Sequence, residues 1–234
     1  MIIGSGITFG SGVSMTSASV YKLSLGTKAP VLGATGQNPF PANNWTSLVS
    51  SSADDASITV SLPFTWNYNN VGRTDFFPNS NYYITFGSGS TVFNSLSASN
   101  PGLNKIFFAA TDNSWQRVSS YTSGTDYKRL RWEGTAGTSG TVGSPNMVYE
   151  LTFFNMDLTG GSPWLELLVG SQARGNSSAA VISGLYSASA KLTGGDLGPS
   201  NRGVTANQSY VMVGNSSGTS WTVYTGYSVS GVDY

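Results

Sequence analysis

Ile58, Val60, Leu62, Phe64, Trp66 and Tyr68 occupy every second position of one stretch, separated mostly by small polar residues. A side-chain period of two belongs to a half-buried strand; a helix, with about 3.6 residues per turn, would scatter these six residues round its circumference. The segment Asn69-Asn70-Val71-Gly72 then turns the chain. Further strand-like runs follow. Tyr82-Tyr83-Ile84-Thr85-Phe86 ends at Gly87-Ser88-Gly89-Ser90, and the continuous apolar run Ile106-Phe107-Phe108-Ala109 suits a central strand covered on both faces. Residues 116–121, 127–133, 147–154, 164–169, 179–185, 209–213 and 221–227 read the same way, with Gly- and Ser-rich turns between them, notably at 134–143. Many short strands at roughly even spacing predict an all-β, antiparallel β-sandwich or jelly-roll-like domain, with room for one short helical turn.

Composition supports that pattern. Only 9% of the residues are charged, against about a quarter in ordinary soluble domains. Ser, Thr, Gly and Asn fill the polar positions; their side chains compete with the helical backbone, or in the case of Gly raise its entropy cost. Six Trp, 12 Tyr and 11 Phe supply enough apolar area for a sizeable core. The 234 residues suit one large β domain.

Several chemistries are excluded by what is missing. The chain contains no Cys, so it forms neither disulfides nor thiolate metal sites. It contains no His, which removes the commonest metal ligand, the commonest general base and every imidazole-based triad. Eleven basic residues balance eleven acidic ones, so no global field draws a polyanion, and nucleic acid is not an expected partner. The basic run Lys128, Arg129 and Arg131 reads as a solvated strand edge that blocks unwanted pairing. No apolar stretch reaches membrane-spanning length, and the start lacks a basic, then apolar, export signal.

The opening residues carry an internal repeat, Gly4-Ser5-Gly6-Ile7-Thr8-Phe9 followed by Gly10-Ser11-Gly12-Val13-Ser14-Met15. A six-residue Gly-Ser-Gly period can turn at the glycines and pair through its short strands, but two copies are too few to be stable alone. The segment reads either as a flexible leader or, preferably, as an arm whose Ile2, Ile7, Phe9, Val13 and Met15 dock onto a neighbouring subunit. The expected organisation is an attachment arm at 1–16, a strand-and-loop lead-in at 17–56 with Trp45 as a loop anchor, and a β-sandwich domain at 57–234. A fainter echo links Trp115, Tyr121 and Asp126-Tyr127 with Trp221, Tyr227 and Asp233-Tyr234. It reads either as the self-similarity of low-complexity β sequence or as two equivalent strands on related edges.

Two blocks carry a resemblance. The first runs from Leu62-Pro63-Phe64-Thr65-Trp66-Asn67-Tyr68 to Tyr82-Tyr83-Ile84-Thr85-Phe86-Gly87; the second runs from Lys105-Ile106-Phe107-Phe108 through Asp112-Asn113-Ser114-Trp115 and Arg131-Trp132-Glu133 to Met147-Val148-Tyr149-Glu150. Together, over about residues 57–190, they resemble a β-sandwich module of tailed-bacteriophage virion proteins of the marine, cyanophage type. In feature order they are similar to nidogen-like adhesion modules. The Gly-Ser-Gly leader resembles the starts of phage tail and fibre proteins. Where such modules often place Gly before the Ile-Thr-Phe-Gly strand, this chain has Asn81-Tyr82-Tyr83, so that turn is expected to be built differently. The resemblance implies a sandwich fold and a place on the virion surface, and it brings no catalytic residues.

Candidate sites are few. Glycoside hydrolysis needs two carboxyl groups flanking one bond; Glu133, Glu150 and Glu166 lie on predicted strands, where solvent-facing positions account for them. Asp112, Asn113 and Trp115, extended by Tyr121 and Tyr127, offer hydrogen bonds beside a flat apolar face, the elements of a shallow glycan contact, although Asp-Asn-Ser also forms turns and Trp is usually core. Asp54-Asp55 lacks the ligand series of a calcium loop. No metal site, cofactor or catalytic set is expected. The leading expectation is a non-enzymatic virion structural protein, in a tail, fibre or capsid decoration. Its expected partners are other virion proteins, copies of itself in a trimer, and a host-surface glycan. The alternatives are a carbohydrate-binding adhesion module and a carboxylate-dependent glycan hydrolase.

Overall fold

Burial alternates along Val60–Tyr68, with Val60, Leu62, Trp66 and Tyr68 turned inward and Ser61, Pro63 and Thr65 outward, as the period of two requires. In the computed structural model the described residues are 21–26, 45–91, 104–110, 113–136, 147–170, 182–197 and 204–230. They form fifteen strands: β1 (Lys22–Leu25), β2 (Thr46–Val49), β3 (Ala53–Asp54), β4 (Val60–Tyr68), β5 (Val71–Asn79), β6 (Tyr83–Phe86), β7 (Asn104–Ala110), β8 (Asn113–Ser123), β9 (Tyr127–Ala136), β10 (Met147–Phe154), β11 (Trp164–Val169), β12 (Ile182–Tyr186), β13 (Ser209–Gly214), β14 (Trp221–Thr225) and β15 (Tyr227–Ser230). The expected helical turn is a 3-10 turn at Met156–Leu158, capped by Asn155. Among the described residues no helix is long and apolar enough to cross a membrane.

The chain forms the antiparallel β-sandwich that its patterning predicts. A large sheet runs β14-β13-β11-β10-β9-β8-β2, with β3 also paired to β8, and a five-stranded sheet runs β12-β7-β6-β5-β4. Leu130, Trp132, Tyr149, Leu151, Phe153, Leu165, Leu167 and Met212 of the large sheet meet Leu62, Trp66, Tyr68, Phe76, Ile84, Phe86, Ile106 and Phe108 of the small one in a single apolar cluster. Trp66 is at its centre, edge-on to Phe153 at 4.9 Å and packed on Trp221 at 5.7 Å, with its indole N–H donating to the Trp164 carbonyl at 3.3 Å. Trp115 and Trp221 both turn into this cluster, from strands near opposite edges of the large sheet.

A third layer lies on the other side of the large sheet. β1 pairs antiparallel with β15, Lys22 opposite Ser230 and Leu25 opposite Tyr227. This ribbon covers Tyr127, Phe154 and Val211 with Tyr21 and Val229, the Tyr21 ring lying 4.9 Å from Phe154. The lead-in thus contributes β1, β2 and β3 to the sheets. The run expected at 221–227 breaks at Gly226, whose φ of +78 turns the chain from β14 at the edge of the large sheet into β15 on its face. The N-terminal arm, with Ile2, Ile7, Phe9, Val13 and Met15, lies outside the described residues.

The corner before β6 is indeed built without glycine. Tyr82 takes a left-handed backbone, φ +56, a conformation that costs a non-glycine residue about 1–3 kcal/mol unless its surroundings impose it. Buried asparagines impose it. The Asn81 N–H donates to Asn79 Oδ1 at 2.7 Å, the Tyr82 N–H donates to the Asn79 carbonyl at 3.1 Å, and Asn81 Oδ1 accepts from the Asn113 N–H at 2.8 Å. The fully buried Tyr82 ring reaches across the sandwich to Gly134, where an added Cβ would stand 2.1 Å from Tyr82 Oη and 2.3 Å from the Ser114 carbonyl oxygen. Because a backbone atom is one of the two obstacles, rotating Tyr82 away cannot relieve the clash. Gly134→Ala is therefore expected to lower the unfolding free energy by about 1–3 kcal/mol, measured by urea titration; an unchanged midpoint would show that β8 and β9 can separate there freely.

Candidate functional site

Alternation along β9 sends Leu130 and Trp132 into the core and Tyr127, Arg129, Arg131 and Glu133 to the opposite face of the large sheet. Register then lines up polar neighbours. Tyr121, Arg129, Thr152, Glu166, Val211 and Tyr224 form one row across six strands, and Ser119, Arg131, Glu150, Leu168 and Ser209 form the next. Within these rows the charges pair. Arg129 Nη2 donates to Glu150 Oε2 at 2.6 Å and Arg131 Nη1 to Glu150 Oε1 at 2.9 Å. Arg131 also donates through Nε and Nη2 to Glu133 Oε1, at 2.8 and 2.6 Å, and Arg117 forms an ion pair with Glu133.

Arg129, Arg131, Glu133 and Glu150 are each 3% exposed or less. This corrects two expectations: the basic run is not a solvated edge, because β9 is an interior strand, and the strand glutamates do not face solvent. Glu166, fully buried, accepts from the Val229 N–H at 2.8 Å, which ties the β1–β15 ribbon to the sheet. The three glutamates of the chain therefore all lie on this one face. A carboxylate held on both oxygens by guanidinium groups, as Glu150 is, serves as a structural counter-ion and is poorly placed to shuttle protons.

Aromatic rings close one side of the ladder. The Trp45 ring lies 5.5 Å from the Arg129 guanidinium and 5.9 Å from Tyr121, and Tyr121 lies 5.9 Å from Tyr127. Trp45 thus packs on a buried arginine through a cation–π contact. Burial pushes the Tyr127 hydroxyl above its ordinary range and lowers the pKa of Lys128, whose ammonium donates to Thr122 at 2.7 Å and Ser120 at 3.2 Å.

The residues first considered for glycan contact do not share a surface. Trp115 is 1% exposed and packs in the main core, so it offers no ring face to a sugar. Asn113 is fully buried and bonded to Asn81. Asp112 lies outside the described residues, and Tyr121 is partly exposed beside Trp45. Asp55 Oδ1 accepts from the Asn81 side chain at 3.1 Å, while Asp54 Oδ1 accepts from the Asp55 N–H at 3.0 Å. Among the described residues no cluster of three or more acids is placed to hold a metal ion. The ladder had a signal in the sequence: Arg129, Arg131 and Glu133 at steps of two share one strand face.

No protein-family model, curated protein or solved structure matches the chain.

Deleting one partner of a buried ion pair strands the other, at a cost of about 3–5 kcal/mol. Glu150→Leu should show a loss of that size in urea titration. Arg129→Met and Arg131→Met added to Glu150→Leu should recover much of it, since no unmatched charge then remains at that point. A negligible loss in the single variant would mean that the ladder does not hold the sheet.

Proposed function

We propose that this protein is a non-enzymatic structural component of a tailed-phage virion, exposed on the particle in a tail, fibre or capsid decoration and acting through surface contact. The observation that favours this reading is how β1, the described strand nearest the arm, is held. β1, which begins at Lys22, C-terminal to the arm at 1–16, is zipped to β15 over a buried apolar cluster, and β15 is bonded in turn to Glu166 of the large sheet. Force reaching β1 is resisted by its backbone pairing with β15 and passes through Val229 to Glu166 on the ion-paired face. Such a joint suits a body tethered to a larger assembly. The same face holds the chain's glutamates in ion pairs or backbone bonds, which favours contact over carboxylate catalysis.

In this reading Ile2, Ile7, Phe9, Val13 and Met15 enter a neighbouring virion protein or a second copy of the chain, and a closed trimer covers exposed strand edges. Deleting residues 1–15 leaves every described strand in place and should abolish incorporation into particles, scored by mass spectrometry of purified virions against the full-length chain. Incorporation at the full-length level would refute docking through the arm. A chain never found in particles would refute the virion reading itself.

A further inference from the structure

The small sheet has an outer face of its own, and it contains a cation with no counter-ion among the described residues. Ile106 and Phe108 of β7 enter the main core, so Lys105 and Phe107 point the other way. Register places Lys105 between Thr85 of β6 and Tyr186 of β12, with Lys191 bridged to the far side of Tyr186. Tyr83, Phe107 and Tyr186 form a separate buried cluster on this face. Lys105 is only 5% exposed, and its ammonium lies 5.8 Å from the centre of the Phe107 ring.

The neighbouring polar groups are already engaged. The Thr85 hydroxyl donates to the Ser88 carbonyl at 2.6 Å, the Tyr83 hydroxyl donates to Ser90 Oγ at 3.1 Å, and Lys191 is ion-paired with Asp196. Among the described residues no carboxylate pairs with the Lys105 ammonium, in contrast to the buried arginines of the large sheet, which all have one. Burial lowers its pKa from the ordinary lysine value. A long side chain that merely covers an aromatic cluster normally carries its charged end out into water; here the residue as a whole is almost fully buried, and among the described residues it is the Phe107 ring that the ammonium approaches. An anion arriving at this point would meet a partly dehydrated ammonium, where a charge-assisted hydrogen bond is stronger than at an open surface.

We propose that Lys105 is the cationic centre of an oxyanion site on the outer face of the small sheet, which takes a carboxylate or sulfate group, free or borne on an acidic sugar. Lys191, beyond Tyr186 in the same row and ion-paired with Asp196, lies at the rim, and the strand backbone holds Lys105 in register. The site is independent of the arm and of the virion reading.

The test uses the full chain titrated with sodium sulfate, sodium glucuronate and glucose, with chloride holding ionic strength constant, read by calorimetry and by the side-chain resonances of Lys105. Sulfate and glucuronate should bind and move those resonances, glucose should not, and Lys105→Met should weaken the anions by roughly tenfold or more. Methionine keeps an unbranched apolar stem over Phe107, so this variant is expected to fold. Response to sulfate alone would assign the site to a free inorganic oxyanion; response to both would assign it to the acid group whether or not a sugar carries it. Anion effects of equal size in the wild type and Lys105→Met, or Lys105 resonances that stay still in the wild type, would overturn the proposal, and the second result requires no variant. Sulfate also stabilises proteins by exclusion from their surfaces, an effect common to both proteins that cancels in the comparison.

Discussion

The large sheet is covered on both faces, and that constraint governs most of what surrounds it. One face meets the small sheet through aromatic and aliphatic side chains; the other is partly roofed by the β1–β15 ribbon and by Trp45. A sheet buried twice has few places for polar side chains, and each one present must find a partner, since an unpaired buried charge is costly. The Arg117, Arg129, Arg131, Glu133 and Glu150 ladder meets that requirement in a way that depends on register. Slipping β10 by one residue against β9 would turn Glu150 into the core and bring Tyr149 or Leu151 against the arginines. The ion pairs are thus as much a specification of alignment as a source of stability.

Much of the architecture was legible in the sequence. β10 and β11 were expected at 147–154 and 164–169 and occur there, because both are nearly unbroken apolar runs. β5 escaped notice: Val71–Asn79 contains Gly72, Arg73, Asp75 and Pro78, and its pattern is weak until β4 and β6 flank it and bury Phe76 completely. Alternation told which way Arg129, Arg131 and Glu133 would point. It could not tell that this face is covered, because part of its cover comes from strands far away along the chain. Trp115 misled for a related reason. Its position just after Asp-Asn-Ser suggests a turn with an exposed ring, but β8 has already begun at Asn113 and pairing with β9 turns the indole inward. The Lys105 environment was equally hidden, since a strand read as uniformly apolar at 106–109 gives no hint of what its flanking lysine lacks.

The functional readings follow from where charge is satisfied and where it is not. On the large sheet the strong acids and bases neutralise one another, and the result is rigidity. On the small sheet one lysine is left without an opposite charge among the described residues, and the result is an opening for a ligand. A protein that works by being touched would benefit from both: an inert frame to transmit force, and a sparse set of reactive points on it.

The pairing of β1 with β15 also has a consequence for biosynthesis. Ser230 Oγ donates to the Lys22 carbonyl across 208 positions of sequence, so β1 has no mate until β15 has been synthesised. Until then Glu166 lacks the amide of Val229 and the cluster round Phe154 stands partly open. Contacts so distant in sequence form slowly, and this clasp closes only after residues 227–230 have been made. A copy cut short before β15 would leave the ribbon seat vacant and would differ from one that has β15 at the joint where assembly is proposed to begin.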